Sequence, residues 1–362
     1  MKYVPFIVFT LCLNFSLGSQ ELTLETPLDP LVHETSGILF LNNTLITHND
    51  SANTNQLYDI DVVTGNVTRT VTITNATNGD WEDLTHDDTY IYIGDFGNFD
   101  ASRTDLRVYR ILISDYFSST SVTAEVINFS YSSQTSFTPS PLATNFDAEG
   151  LIHINNKLYI FSKNWLNGHT DIYELPKTIG TYSLSAMDTI NTEGLISGAT
   201  FNPIDNSIML IGYGNSGPFF IHLKDFHSGL FSNGTLEKIF VNVPTNYSPQ
   251  IEGIIAINAD TYYVSAEAVA STLSGLYSFN ASTLHIETLN TDKASFYPNP
   301  ASDSITVSPN YCITQIYSIT GKLIKRSSNK TIDISDMATG IYIVKIQSTA
   351  KTETTIKKLI IN

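Results

Sequence analysis

Short apolar runs separated by polar turns set the pattern of this chain. The stretch Asn145-Phe146-Asp147-Ala148-Glu149-Gly150-Leu151-Ile152 opens one such run, which turns at Asn155-Asn156 and returns as a second. Relatives of that opening occur at His33-Glu34-Thr35-Ser36-Gly37-Ile38, Gly79-Asp80-Trp81-Glu82-Asp83-Leu84, Leu195-Ile196-Ser197-Gly198-Ala199 and Gln250-Ile251-Glu252-Gly253-Ile254. Their turns fall at Asn42-Asn43, Asp87-Asp88, Asp205-Asn206 and Asn258-Ala259-Asp260. A short apolar run, a polar pair and a second run predict a hairpin, not a helix.

Aligned on one position, the copies stand at 37, 83, 150, 198 and 253, a mean spacing of 54 residues. Four-stranded units repeating at roughly 40–50 residues are how propeller blades read in sequence. The first repeat supplies its four strands at 37–41, 45–48, 56–62 and 66–74. The wide second interval is assigned to an excursion at 97–103 and a longer outer hairpin. The prediction is an all-β chain containing a β-propeller of five blades, or six if a degenerate copy exists.

Composition supports a globular β protein, with 42% hydrophobic and only 15% charged residues. Residues 1–18 carry Lys2, the apolar run Phe6-Ile7-Val8-Phe9 and a small-residue exit at Ser16-Leu17-Gly18. They read as a secretory signal, too short to span a membrane, with the mature chain starting near Ser19. Leu11 before Cys12 does not suit a lipoprotein anchor. Cys312 is the only other cysteine, so an exported chain would have no disulfide framework and would depend on a large core. No later apolar stretch is long enough to span a membrane as a helix.

Charge divides the chain in two. Residues 19–292 hold 9 Lys+Arg against 31 Asp+Glu, whereas 293–362 hold 9 against 4. Two segments of opposite sign predict two domains, the propeller at 19–292 and a second domain at 293–362. The acidic domain disfavours nucleic acid and anionic lipid and attracts divalent cations or cationic partners, although acidity also serves solubility. The two prolines of Tyr297-Pro298-Asn299-Pro300 make an entry turn. Strand-like runs at 304–307, 313–317, 323–325, 341–346 and 355–361 then predict a small Ig-like antiparallel β-sandwich.

These last residues carry a resemblance. Tyr297-Pro298-Asn299-Pro300, Ile316-Tyr317-Ser318-Ile319-Thr320-Gly321-Lys322, Ile332-Asp333-Ile334-Ser335-Asp336-Met337-Ala338-Thr339-Gly340-Ile341-Tyr342 and the basic end Lys357-Lys358-Leu359-Ile360-Ile361 resemble the C-terminal sorting domain of type IX secretion substrates in Bacteroidetes. The resemblance implies passage to the periplasm, export by the type IX machinery through residues 296–362, and removal of this domain. The product would be secreted or attached to the cell surface. Asp80-Trp81-Glu82-Asp83-Leu84, Gly94-Asp95-Phe96-Gly97-Asn98, Asp147-Ala148-Glu149-Gly150-Leu151 and Phe161-Ser162-Lys163-Asn164-Trp165 resemble uncharacterised secreted propellers. The Glu-Gly openings are more distantly similar to regucalcin and gluconolactonase, phytase-like and SdiA-regulated propellers, and that similarity implies channel-mouth acids acting on calcium.

The candidate chemistry follows from the hub. The first strand of each blade lines the propeller axis, so one position per blade repeats as a ring. The position before the aligned one is Ser36, Glu82, Glu149, Ser197 and Glu252; two residues earlier stand Glu34, Asp80, Asp147, Leu195 and Gln250. Crowded carboxylates either raise one another's pKa or recruit a cation. With oxygen ligands and no His or Cys cluster the cation is hard, calcium before magnesium, and Glu82, Glu149, Glu252, Asp80 and Asp147 are the candidate metal ligands. The second strands return to the same mouth and deliver Asp50, Asp95, Lys163, Asn164 and Glu267 as candidate ligand-binding residues. Glycine and acid at a strand start also make ordinary turns, and that reading stays open beside the calcium one.

Asp95 to Arg103 resembles an acidic calcium loop in which Asp95 and Asp100 add ligands, or else an Asx-turn cluster. Trp81 and Trp165 are packing residues or sugar-stacking ones. His48, His86 and His153 have no metal spacing, and no nucleophile elbow is present. Two functions remain: a calcium-supported extracellular module that binds a glycan, peptide or small molecule, or a metal-dependent lactonase- or phosphoesterase-like hydrolase with Glu82 or Glu149 as base.

Overall fold

In the computed structural model, both residues of the Asn42-Asn43 and Asn155-Asn156 turns are left-handed, with φ of 51° and 61°, and of 48° and 69°. Each pair forms a two-residue loop, flanked by the cross-strand partners Leu41 and Thr44, or Ile154 and Lys157. Two positive φ angles are what the tight hairpin turn requires, and asparagine tolerates them. Residues 20–227, 229–244, 250–268, 273–284, 296–307, 311–348 and 354–362 are described. The expected signal at 1–18 and the domain boundary at 293–295 lie outside them. The chain falls into two units, residues 1–284 and 285–362.

Among the described residues, the first unit contains five sheets. Blade 1 is Thr35–Leu41, Thr44–Asn49, Gln56–Ile60 and Val67–Ile73, and blade 2 is Trp81–His86, Tyr90–Asp95, Arg107–Leu112 and Glu125–Tyr131. Blade 3 is Ala148–Ile154, Lys157–Ser162, His169–Pro176 and Ala186–Asn191, and blade 4 is Leu195–Asn202, Ser207–Gly214, Gly217–Lys224 and Thr235–Asn242. Blade 5 takes three strands from Ile251–Ala256, Thr261–Ala266 and Gly275–Asn280. Its fourth, Thr23–Pro27, comes from the other end of the unit and pairs antiparallel with Gly275–Asn280. The inner strands neighbour one another in the order 1-2-3-4-5 and back to 1, so the ring is closed.

The long second repeat contains the expected 97–103 excursion and longer outer hairpin, and the hairpin carries additional elements. Besides the 97–103 loop, its outer hairpin contains the helix Ile113–Ser118 and the strand Ser121–Val122, which crosses back to pair with Val67–Ile73 of blade 1. Tyr116 on that helix is bonded through its hydroxyl to Asp59 of blade 1. Gly180–Leu184 of the third repeat likewise adds to blade 2, so outer strands tie neighbouring blades together.

Each blade buries both faces against its neighbours, which is why the inner strands read as continuous apolar runs. Five buried clusters fill the five interfaces. Leu39, Ile46, Leu57 and Val71 of blade 1 meet Trp81, Ile93 and Tyr109 of blade 2. Similar clusters lie between blades 2 and 3, 3 and 4, 4 and 5, and 5 and 1.

The second unit is a β-sandwich. One sheet contains Phe296–Tyr297, Ser304–Val307 and Thr331–Asp333; the other is ordered Leu323–Ser327, Tyr311–Ser318, Gly340–Ser348, Thr354–Ile361. Ile305, Ile316, Ile332, Val344, Ile346 and Leu359 form its core. The expected strands are present, and the short pieces at Phe296–Tyr297 and Thr331–Asp333 are additional.

Candidate functional site: the acidic mouth of the hub

Every inner strand carries a register irregularity at the same place. The shifts fall between Thr35 and Ile38, Trp81 and Leu84, Ala148 and Gly150, Ile196 and Gly198, and Ile251 and Gly253. The residues left out of the ladder include Ser36, Glu82, Glu149, Ser197 and Glu252. A bulge re-aims the side chain it carries, and here it turns one residue per blade out of the alternating pattern and toward the axis. The two serines are used internally: Ser36 Oγ donates to the Glu82 carbonyl at 2.7 Å and Ser197 Oγ to the Ile251 carbonyl at 2.5 Å. The three glutamates instead line a cavity of about 150 Å³ with Asp50, Asp80 and Asp147.

Close approach of the five strands depends on small residues. A Cβ at Gly37 would lie 2.6 Å from Asp83 Cα, closer than carbon atoms approach without bonding. Blade 2 has Asp83 where the other four have glycine. Its carboxylate is fully buried and accepts from the backbone N–H of Leu84 at 2.8 Å, Leu151 at 2.8 Å and Ala199 at 3.3 Å. Leu151 and Ala199 sit on the inner strands of blades 3 and 4, so Asp83 cross-links three blades through donors on free strand edges.

Within the mouth, carboxylate oxygens of Asp50, Asp80 and Glu82 all lie within 4.8 Å of one another. Glu82 is 6% exposed, and its carboxylate has no hydrogen-bond partner among the described residues. Burial, then the charges of Glu149, Asp50, Asp80 and Asp147, push its pKa well above the usual carboxylate range. Burial also raises Asp50 to about 6, Asp80 to about 7 and Glu252 to about 7. Among the described residues the one cation lining the cavity is Lys163, whose Nζ lies 2.8 Å from Glu149 Oε1 and 5.1 Å from the Trp165 ring centre. Burial alone would lower Lys163, but Glu149 and Glu252 outweigh it and hold the amine well above its ordinary value. Six carboxyl groups facing one ammonium can be neutralised by protons or by a divalent cation, and oxygen donors alone suit calcium.

The other candidates divide into those at the mouth and those behind it. Asp147 lines the cavity, but Asn98 N–H at 2.6 Å and Trp165 Nε1 at 2.8 Å occupy its two oxygens. Glu267 lies beside the mouth, where Gln250 Nε2 is 3.5 Å from its Oε2 and 3.0 Å from Glu252 Oε1, and burial raises it to about 8. Asp95 is fully buried and paired with Arg103 at 2.8 Å and Arg107 at 3.5 Å, so it does not reach the cavity. Asn164 is also buried, bonded to Ser162 Oγ at 2.7 Å and Asp171 at 3.0 Å. Asp100 accepts from Ser102 N–H at 2.9 Å, and Asn98 from Arg103 N–H at 2.9 Å, so the 95–103 segment is an Asx-turn cluster.

That segment still shapes the site, because Phe99 lines the cavity and a Cβ at Gly97 would collide with Glu82 Oε1 and Asp80 Oδ2. Trp81 is interior packing, whereas Trp165 lines the mouth. Sequence reasoning missed Asp83 as a cross-link and Gly97 as the residue that lets the loop approach the acids. The signal for Asp83 was its being the sole departure from glycine at the aligned position.

Residues 295–362 match the model of the secretion system C-terminal sorting domain. No curated protein matches the chain. Among solved structures, PorZ, a surface component of the type IX secretion system of Porphyromonas gingivalis, is similar at 12% identity and a TM-score of 0.36, over 91% of this chain. The chain spans 45% of PorZ. An exo-β-1,3-galactanase from Phanerochaete chrysosporium is similar at 11% identity and a TM-score of 0.45, over 93% of this chain and 99% of the galactanase. A family 43 β-xylosidase/α-arabinofuranosidase from a compost metagenome is similar at 9% identity and a TM-score of 0.40, over 82% and 96% of the two chains. No helix among the described residues is long and apolar enough to cross a membrane. The C-terminal unit is a type IX secretion sorting domain, and the chain is an exported β-propeller that is secreted or attached at the outer-membrane surface.

Proposed function

We propose that the hub mouth binds calcium and that the cation supports recognition of an extracellular ligand by the exported propeller. The observation that carries this reading is the Asp50, Asp80 and Glu82 triad, whose oxygens converge within 4.8 Å while Glu82, nearly buried, has no hydrogen-bond partner among the described residues. A buried carboxylate without a hydrogen bond is costly, and a divalent cation removes that cost. Asp80 and Glu82 come from the inner strand of blade 2 and its approach, and Asp50 follows the second strand of blade 1, so the cation would also join two blades. Extracellular calcium modules bind at about 10⁻⁴–10⁻³ M. At a hundredfold excess over Kd, calcium stabilises a protein by about 2.7 kcal/mol, which raises the melting temperature of a domain this size by about 5–10 °C. The test is calorimetry of the calcium-free protein with and without calcium, repeated on Glu82→Gln. A shift that the variant loses supports the site; no shift at about 10–100 mM calcium, a hundredfold above that Kd range, removes it.

A hydrolase reading is favoured by one further feature. Glu252, raised to about 7 by burial, shares the cavity with the triad and is poised to exchange protons near neutral pH. A screen of lactones, aryl esters and phosphoesters with calcium present tests it, and turnover that Glu252→Gln abolishes would favour catalysis over binding.

A further inference from the structure

The acids that the calcium triad leaves over have acceptors to spare. Glu149 and Glu252 line the same cavity of about 150 Å³, and each is 5% exposed. Each has one carboxylate oxygen in use: Lys163 Nζ donates to Glu149 Oε1 at 2.8 Å, and Gln250 Nε2 to Glu252 Oε1 at 3.0 Å. Oε2 of both has no hydrogen-bond partner among the described residues. With the carboxylate of Glu82, these are buried acceptors without donors, aimed into one space. Such groups are costly to leave unpaired, so an occupant of the cavity has to bring donors.

Charge decides which kind of donor. Asp50, Asp80, Glu82, Asp147, Glu149 and Glu252 share the cavity with the single ammonium of Lys163, so a divalent cation on the triad still leaves ionised carboxylates in excess. A phosphate or carboxylate ligand is repelled there. A sugar hydroxyl brings acceptors along with its donor, whereas a primary ammonium brings three donors and no acceptor. Lys163 itself shows how the mouth holds such a group. Besides its bond to Glu149, its Nζ lies 5.1 Å from the ring centre of Trp165 and 5.2 Å from that of Tyr213, a charge-assisted hydrogen bond joined to cation–π contacts.

The cavity has room for about five water-sized groups, enough for a cationic head beside a metal ion but not for a whole ligand. The body of the ligand therefore lies on the rim, where Phe99, Leu142 and Leu166 are exposed. Backbone hydrogen bonds tie their segments together, from Leu142 N–H to the Phe99 carbonyl at 3.0 Å and from Trp165 N–H to the Thr144 carbonyl at 2.9 Å. Phe99 and Trp165 line the cavity, so this apolar side of the rim adjoins the acids. We propose that the mouth binds a primary amine with an apolar stem, its ammonium on Glu149 and Glu252 and its stem on the side of the rim formed by Phe99, Leu142 and Leu166. The inference names the ligand class for the recognition proposed above and rests on that reading of the mouth, yet the amine itself does not require the cation.

The test is a calorimetric titration of the exported chain with n-hexylamine at pH 8 in the presence of calcium, where the amine is protonated. Saturable binding with a Kd of about 1 mM or below is expected. 1-Hexanol, which has the same stem and no charge, should bind about ten- to hundredfold more weakly, the worth of a hydrogen bond to a charged group. Methylamine, a head without a stem, should be weaker by at least about tenfold. Glu252→Gln should weaken hexylamine at least about tenfold, and Phe99→Ala, at an exposed position where folding is not at risk, at least about threefold. The calcium-induced melting shift, read on the same protein, keeps the two ideas apart. A shift without hexylamine binding overturns the amine proposal alone, and binding without a shift overturns the calcium reading alone. No saturation below about 10 mM hexylamine, hexanol bound as tightly as the amine, or binding indifferent to both variants would each overturn the proposal.

Discussion

Replacing Asp83 by alanine tests whether one acid holds the hub together. The substitution removes the acceptor of three N–H groups, those of Leu84, Leu151 and Ala199, at a position with no solvent exposure. A buried donor left without a partner costs about 1–3 kcal/mol. Against this, the carboxyl itself no longer has to be buried; burial raises its pKa well above the usual range despite the three bonds. The net expectation is a loss of about 3–5 kcal/mol for Asp83→Ala, which at about 2–4 °C per kcal/mol lowers the melting temperature by about 6–20 °C. Asp83→Asn keeps one oxygen for Leu151 and Ala199 and sacrifices the bond to Leu84, a smaller loss of about 1–2 kcal/mol. Urea unfolding of the three proteins, with an unchanged m-value, would give both numbers. An alanine variant within about 2 °C of the parent, or one more stable than it, would refute the cross-link and show that the cost of burying the acid dominates.

Three further outcomes follow from the mouth. Without calcium, stability should fall as pH rises from about 5 to 8: Asp50, Asp80, Glu252 and Glu267 are raised to between about 6 and 8, so the folded chain holds protons that the unfolded chain has released near pH 4. Each such proton contributes about 1.4 kcal/mol per pH unit, and millimolar calcium should flatten the slope; melting curves with chelator across that window would show it, and a rising slope would contradict it. Gly97→Ala forces a methyl group against Glu82 and Asp80 and should cost about 1–3 kcal/mol while cutting the calcium-induced shift by at least half, both read by calorimetry. Lys163→Met leaves Glu149 buried without its ion pair, so the calcium-free variant should lose about 3–5 kcal/mol at pH 8 and recover part of it as the pH is lowered, because burial raises the pKa of Glu149 well above the usual carboxylate range; equal losses at high and low pH would show that packing, not charge, was removed.

Much of the architecture was legible because it depends on local chemistry. Asparagine pairs between apolar runs specify tight turns whatever surrounds them, and repeats of one opening specify repeated blades. The tail was legible from its ordered motifs. The candidate mouth was half legible: the glutamates before the aligned position do converge, but Asp95 and Asn164, assigned to the same mouth, are drawn behind it by Arg103, Arg107, Ser162 and Asp171. Those partners lie within about a dozen residues in sequence, yet nothing in a linear reading tells which neighbour a side chain turns to.

What the sequence by itself determined is the class of fold, the repeat of one hairpin opening, the acidity of one domain and the export route carried by the other; five blades rather than six came from the folded ring. The tertiary structure alone decided that Thr23–Pro27 completes blade 5, that a bulge in each inner strand aims the ring residues at the axis, and that Asp83 bonds to the inner strands of blades 3 and 4. Turn and strand preferences act over a few residues and are written in their order. Closure of the ring, the aim of a bulged side chain and the partner of a buried charge depend on groups brought together from distant parts of the chain, and only the folded molecule supplies them.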